Sequence, residues 1–178
     1  MRSLLTFFIV LCSSINLVAQ DSQTAENPKI DMAGFLRISL DAAEHRESRR
    51  LSEDDFIRVS REAGTIILDA RSKEKFDLLH VRGAINLSFP DITIESLQKT
   101  IPDKSTRVLI YCNNNFENAE LAFPTKQFSA SLNLSTYISL YDYGYRNVFE
   151  LAPLLDPATS KLPFASKVDA KQLSLSGQ

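Results

Sequence analysis

Apolar positions along this chain fall into blocks with two different periods. Thr65-Ile66-Ile67-Leu68-Asp69 and Arg107-Val108-Leu109-Ile110-Tyr111 are nearly continuous, β-branched runs, the pattern of strands covered on both faces. Ala84-Ile85-Asn86-Leu87 and Val148-Phe149-Glu150-Leu151 predict two shorter strands. Leu36, Ile38 and Leu40 alternate with Arg37, Ser39 and Asp41, which predicts a half-buried strand. Residues 42–50 suit a short helix equally well. Helical spacing separates the later runs. Ser52-Glu53-Asp54-Asp55 has a capping-box spacing before Phe56, Ile57 and Val59, with Gly64 as the stop. Ser72 to Leu79 reads as a short helix with Phe76 and Leu79 inward, and Ile92 to Thr100 as another, stopped by Pro102. Leu134, Tyr137, Ile138 and Tyr141 predict a helix over 134–142, capped by Asn133 or Ser135 and closed by Gly144. Beyond it, Pro153, Pro157 and Pro163 predict a loosely wrapped tail.

Strands alternating with helices at this spacing imply an α/β fold, with a mostly parallel five-stranded sheet and helices on both faces. Sites in such folds lie beyond the carboxyl ends of the strands. The pattern places Asp69 and Cys112 there.

The first 19 residues change the organisation. Arg2 precedes the apolar stretch Leu4 to Leu11, and Ser13, Ser14 and Leu17-Val18-Ala19 follow. That order predicts a secretory signal over 1–19, cleaved after Ala19 or Gln20, and an exported protein, periplasmic or extracellular. The apolar stretch is shorter than the ~20 residues that span a bilayer, so no stable membrane insertion is expected after cleavage. Residues 20–50 then form a lead whose first part, 20–32, is polar; 51–155 form the folded domain and 156–178 the tail.

Composition excludes several classes. With 20 basic and 22 acidic residues the net charge is -2, without the concentrated positive field that nucleic-acid binding needs. Signal removal takes Cys12 and leaves Cys112 as the single thiol. Such a thiol is buried and inert, paired between chains, or reactive. Two dispersed histidines, His45 and His80, and one cysteine predict no metal site. No glycine-rich phosphate loop is present, and no cofactor is expected.

The segment Ile67-Leu68-Asp69-Ala70-Arg71-Ser72, then Phe76, then His80-Val81-Arg82-Gly83-Ala84-Ile85-Asn86-Leu87, resembles the rhodanese signature. That signature is a strand ending in Asp-x-Arg, a short helix, and His-x-x-Gly-Ala-x-Asn. Val108 to Cys112 resembles the strand that runs into the family's catalytic cysteine, and Tyr143 to Val148 its glycine turn into the last strand. The resemblance covers residues 50–155. It implies the three-layer rhodanese-like fold and sulfurtransferase chemistry, with Cys112 as the nucleophile holding a persulfide. Its partners would be a small sulfur-containing substrate or a thiol protein. Asp69, Arg71 and His80 are expected to support the loops or contact substrate.

After Cys112 the chain departs from that pattern. Asn113-Asn114-Asn115-Phe116-Glu117-Asn118 carries no Gly, and Glu117 stands where an Arg is often found. Asparagine tolerates the left-handed backbone, so Asn113, Asn114 and Asn115 could build a ligand cradle in place of glycine, or be a plain solvated loop. Asn118 stands where a Cys-x5-Arg phosphatase would need arginine, which disfavours that activity. Pro124 breaks any helix begun at Phe116, so residues 113–132 are expected to form an enlarged loop, with Lys126 a candidate cation for the site. That loop also motivates a second reading: a binding module on a catalytically lapsed scaffold.

Overall fold

The computed structural model describes residues 27–168. The expected leader over 1–19 lies outside the described residues. The chain divides into two units, 1–31 and 32–178. In the first, the Lys29 N–H donates to Asn27 Oδ1 at 3.0 Å in a local turn. Everything below concerns the second.

That unit opens with helix α1 (Met32–Glu47), so the strand expected over 36–40 is a helix instead. The alternation misled because α1 has apolar side chains on two faces. Ala42 is buried on one, while Phe35, Leu36 and Leu40 are exposed on the other, and over five residues two helical faces imitate a period of two. The fifth strand of the sheet is supplied elsewhere, by β1 (Arg50–Leu51). There follow α2 (Glu53–Ser60), β2 (Thr65–Asp69), α3 (Lys73–Leu78), β3 (His80–Val81), β4 (Ile85–Asn86), α4 (Ile94–Thr100), β5 (Arg107–Tyr111), α5 (Leu132–Asp142), β6 (Val148–Leu151) and β7 (Phe164–Ala165). Side-chain caps start three of the helices: Ser52 on α2, Ser72 on α3, and Thr93 in a reciprocal box with Ser96 on α4.

The sheet runs β1-β6-β5-β2-β4 with every pairing parallel. The side chains of β2, β5 and β6 alternate between two cores. Ile67, Leu109, Tyr111 and Leu151 pack with Phe56 and Val59 of α2. Leu68, Val108, Ile110 and Val148 pack with Ala42 of α1, Leu97 of α4 and Tyr137 and Leu140 of α5. Burial on both faces explains why β2 and β5 read as unbroken apolar runs. Register places Asp69 beside both Asn86 and Tyr111, so the chain leaves β5 into Cys112 level with the ends of its neighbours.

The tail does not wrap loosely. β7 pairs antiparallel with β3, setting Val81 against Phe164, and Leu162 is buried in the α2-side core. Leu162 and Phe164, on either side of Pro163, anchor it.

Helix α1 packs on α5, and a polar contact joins them: His45 Nδ1 lies 2.8 Å from the Tyr137 hydroxyl. Burial, then the charges of Arg49 and Arg146, hold the His45 imidazole below its ordinary value. The unfolded chain therefore takes up this proton first. The stabilisation is present above about pH 6.5 and is lost as pH falls below it. The urea midpoint is expected to fall on acidification through this range, and to fall less in His45→Gln. Parallel pH curves for the two proteins would reject this assignment.

Candidate active site

Cys112 extends from β5 in a β conformation, 1% exposed. Its Sγ lies 3.3 Å from Ser131 Oγ. Ser131 immediately precedes α5, yet its hydroxyl makes no capping bond to the helix; it turns to the sulfur. The helix thus begins beside the thiol, two residues before the predicted start. Asn133 and Ser135, the expected caps, lie inside its first turns. A Ser ahead of a helical apolar run was the signal for Ser131, masked by two stronger-looking candidates nearby. Helix N-termini present unpaired N–H groups and the positive end of the dipole, and so stabilise anions placed there.

The three asparagines after Cys112 do not form a left-handed cradle. They make one tight 3-10 turn, and the left-handed residue is Asn118, at φ 58°. Each side chain has a separate place. Asn115 Oδ1 accepts from the Cys112 N–H at 2.9 Å and from Asn133 Nδ2 at 3.0 Å. Its own Nδ2 donates to the carbonyls of Leu151 (2.8 Å) and Pro153 (3.3 Å). Asn114 clasps the backbone of Lys126 from both sides: its Nδ2 donates to the Lys126 carbonyl at 2.8 Å, and the Lys126 N–H donates to Asn114 Oδ1 at 3.2 Å. Asn113 is buried with its Oδ1 unpartnered among the described residues.

Asp69 and Arg71 are engaged in structure. Asp69 Oδ2 accepts from Arg71 Nη2 at 2.6 Å and from the Tyr111 hydroxyl at 2.5 Å. Arg71 Nη1 and Nη2 also donate to the carbonyls of Ala122 (2.8 Å) and Leu79 (2.7 Å). The guanidinium lies 4.1 Å from the centre of the Phe123 ring. Its fork therefore fastens the long loop to the end of β2, and Arg71 also belongs to the wall of a cavity beside Asn113. Burial, then the Asp69 charge, push the Tyr111 hydroxyl well above its usual range, so it stays a donor to Asp69 while its oxygen accepts the Val81 N–H at 3.0 Å. His80 Nδ1 lies 2.7 Å from the Phe76 carbonyl, and its ring stacks on Phe76 at 3.8 Å. That contact fixes the α3–β3 junction.

The segment 113–132 is strapped down rather than open. Beyond the Asn114–Lys126 clasp, Phe116 bridges Leu155 and Phe123 is buried against Phe116 at 4.4 Å. Three cavities border it, and two of them include residues of the asparagine turn. One, about 360 Å³, has Lys75, Lys126, Ser72, Asn113 and Leu132 in its wall. The other, about 400 Å³, is bounded by Phe116, Phe128, Ser131, Leu134 and Leu154, with Glu117 at its edge. Lys126 is exposed, and the structure brings it to the first cavity together with Lys75, which the sequence did not single out.

A family model described as the rhodanese-like domain matches residues 52–151. The chain belongs to the rhodanese-like family. Among solved structures, thiosulfate sulfurtransferase from Pseudomonas aeruginosa is similar at a TM-score of 0.50 and 18% identity, over 75% of this chain and 23% of that one. EanB in complex with hercynine is similar at a TM-score of 0.52 and 14% identity, over 75% of this chain and 33% of that one. A rhodanese with anions from E. coli is 24% identical over 57% of this chain and 98% of its own, at a TM-score of 0.39. At these identities the likeness is one of fold. No curated protein matches. In rhodanese terms, the Asp-x-Arg of this chain is a buried clamp and its cysteine loop is rebuilt from asparagine amides.

Proposed function

We propose that this rhodanese-like protein is a sulfurtransferase or persulfide carrier that takes up sulfane sulfur on Cys112. The observation that carries this reading is the place of Sγ, at the end of β5 and 3.3 Å from the hydroxyl that opens α5. A negatively charged outer sulfur there would face the electropositive end of the helix. In the first half-reaction the Cys112 thiolate attacks the outer sulfur of a donor such as thiosulfate. A new S–S bond forms, the donor's S–S bond breaks, and sulfite leaves with the electron pair. In the second, a thiolate, small or on a protein, attacks that outer sulfur. It departs as its own persulfide and returns Cys112 as thiolate. Neither half needs an oxidant.

The test is intact mass after incubation with thiosulfate and removal of excess donor. A gain of one sulfur atom is expected in the native chain and none in Cys112→Ser. The 1% exposure of Cys112 favours a second reading, a binding module that uses loop 113–132 on a lapsed scaffold. No gain with any sulfane donor, with a folded-state thiol that iodoacetamide fails to label, would reject the first reading for the second.

A further inference from the structure

The two cavities are separated by neighbouring residues of the same segments. Asn113 lines one and Asn114 the other; Leu132 lines one and Ser131 the other. These two short segments are therefore the partition, and Ser131, in the wall of the second cavity, lies 3.3 Å from the sulfur of Cys112, which itself lines neither cavity. The cavities differ in chemistry. On the Asn113 side the wall includes Arg71, Lys75 and Lys126, with Lys75 Nζ also 3.2 Å from exposed Glu74, and the buried Asn113 Oδ1 is unpartnered among the described residues. That side suits an oxoanionic donor.

On the Ser131 side Phe116, Phe128, Leu134 and Leu154 give the wall an apolar part beside its polar residues. Phe128 is 84% exposed and Leu154 58%, although both belong to the wall of a cavity with Phe116 and Leu134. Arg46 also reaches this wall, but its guanidinium is paired with the buried Glu150 carboxylate. The Asn114 amide is taken by the Lys126 backbone. Glu117 is the one charge at this wall without a side-chain partner among the described residues, and it is negative. A volume of about 400 Å³ lies within the range of small-molecule sites.

We propose that this cavity seats the sulfur acceptor, a small organic thiol with an apolar body and no carboxylate. The assignment rests on the persulfide reading above. The acceptor's body covers Phe128 and Leu154, and its sulfur approaches Cys112 past Ser131. Its thiolate attacks the outer sulfur of the Cys112 persulfide. One S–S bond forms, the bond to Cys112 breaks, and the Cys112 thiolate keeps the electron pair. An acceptor bearing a carboxylate meets Glu117 and is disfavoured.

The experiment starts from protein charged with thiosulfate and freed of donor. It follows loss of the extra sulfur by mass, normalised to the charged fraction. Three acceptors are compared at equal thiolate concentration: phenylethanethiol, the same thiol carrying a para-carboxylate, and mercaptopropionate, which lacks the apolar body. Phenylethanethiol is expected to discharge the protein roughly tenfold faster or more than either. Phe128→Ser and Leu154→Ser, both at exposed positions, should each move that ratio toward one, and Glu117→Gln should speed the para-carboxylate thiol selectively. Equal rates for all three thiols, an unchanged ratio in both serine variants, or discharge by protein thiols alone would overturn the assignment. A second arm separates its failure from that of the persulfide reading. Binding of the methyl thioether of phenylethanethiol, followed by ligand-observed NMR, needs no sulfur on Cys112. Saturable binding lost in Phe128→Ser supports the cavity even where charging fails; no binding overturns it even where charging succeeds.

Discussion

Asp69→Ala is expected to destabilise the domain by about 3–5 kcal/mol, as removal of one partner of a buried ion pair does. The side chains of Asp69 and Arg71 are 0% and 1% exposed. Without the carboxylate, the guanidinium keeps only two carbonyls, those of Ala122 and Leu79, and carries an uncompensated charge in the protein interior. The Tyr111 hydroxyl loses its acceptor as well. Urea unfolding of the variant should show a lower midpoint with an unchanged slope. Adding Arg71→Met should recover part of the loss, because the unpaired charge leaves with it, although the tie to Ala122 goes too. A cost below about 1 kcal/mol, the range of an exposed pair, would mean that water reaches the carboxylate and that the clamp is not structural.

Asn115→Ala is expected to cost about 3 kcal/mol, from four hydrogen-bonding groups, three of them in buried bonds, that lose their partner at once. These are the Cys112 N–H, Asn133 Nδ2 and the carbonyls of Leu151 and Pro153. This side chain is the joint between the cysteine turn, the first turn of α5 and the end of β6. Its loss should therefore also free the sulfur. Alkylation of Cys112 in the folded state, measured at a urea concentration far below the transition, should be faster than in the native chain. Destabilisation with unchanged alkylation would show that the turn is held by other contacts.

How much of this was legible in the sequence depends on where each element draws its stabilisation. β2 and β5 could be read because burial on both faces leaves little choice of residue. The Asp69-x-Arg71 and His80 to Asn86 segments could be read because a clamp and a glycine turn demand fixed residue types: Gly83 sits at φ 87°, where a Cβ is strained. α1 was misread because apolar residues occupy two of its faces. β1 and β7 are two residues long, too short for any period, and exist because a partner strand is already in place. The site was partly visible. Cys112 at a strand end followed from pattern alone, but the tasks of Asn113, Asn114 and Asn115 depend on groups up to 38 residues away, which no local spacing reports. Ser131 was hidden for a related reason: the loop before it restores by its path what its length had seemed to remove.

That path has a consequence for how the loop can change. Arg71 holds it at Ala122, Leu155 at Phe116, and Asn114 at Lys126. The long insertion is thereby divided into several short closures, each with its own small entropic cost. The stretch from Gln127 to Ala130 hangs between the last of these ties and the start of α5, and its residues are exposed. Sequence drift in that stretch can reshape the wall that Phe128 contributes while the cysteine turn keeps its anchors. The receptor surface and the reactive atom are thus free to evolve separately.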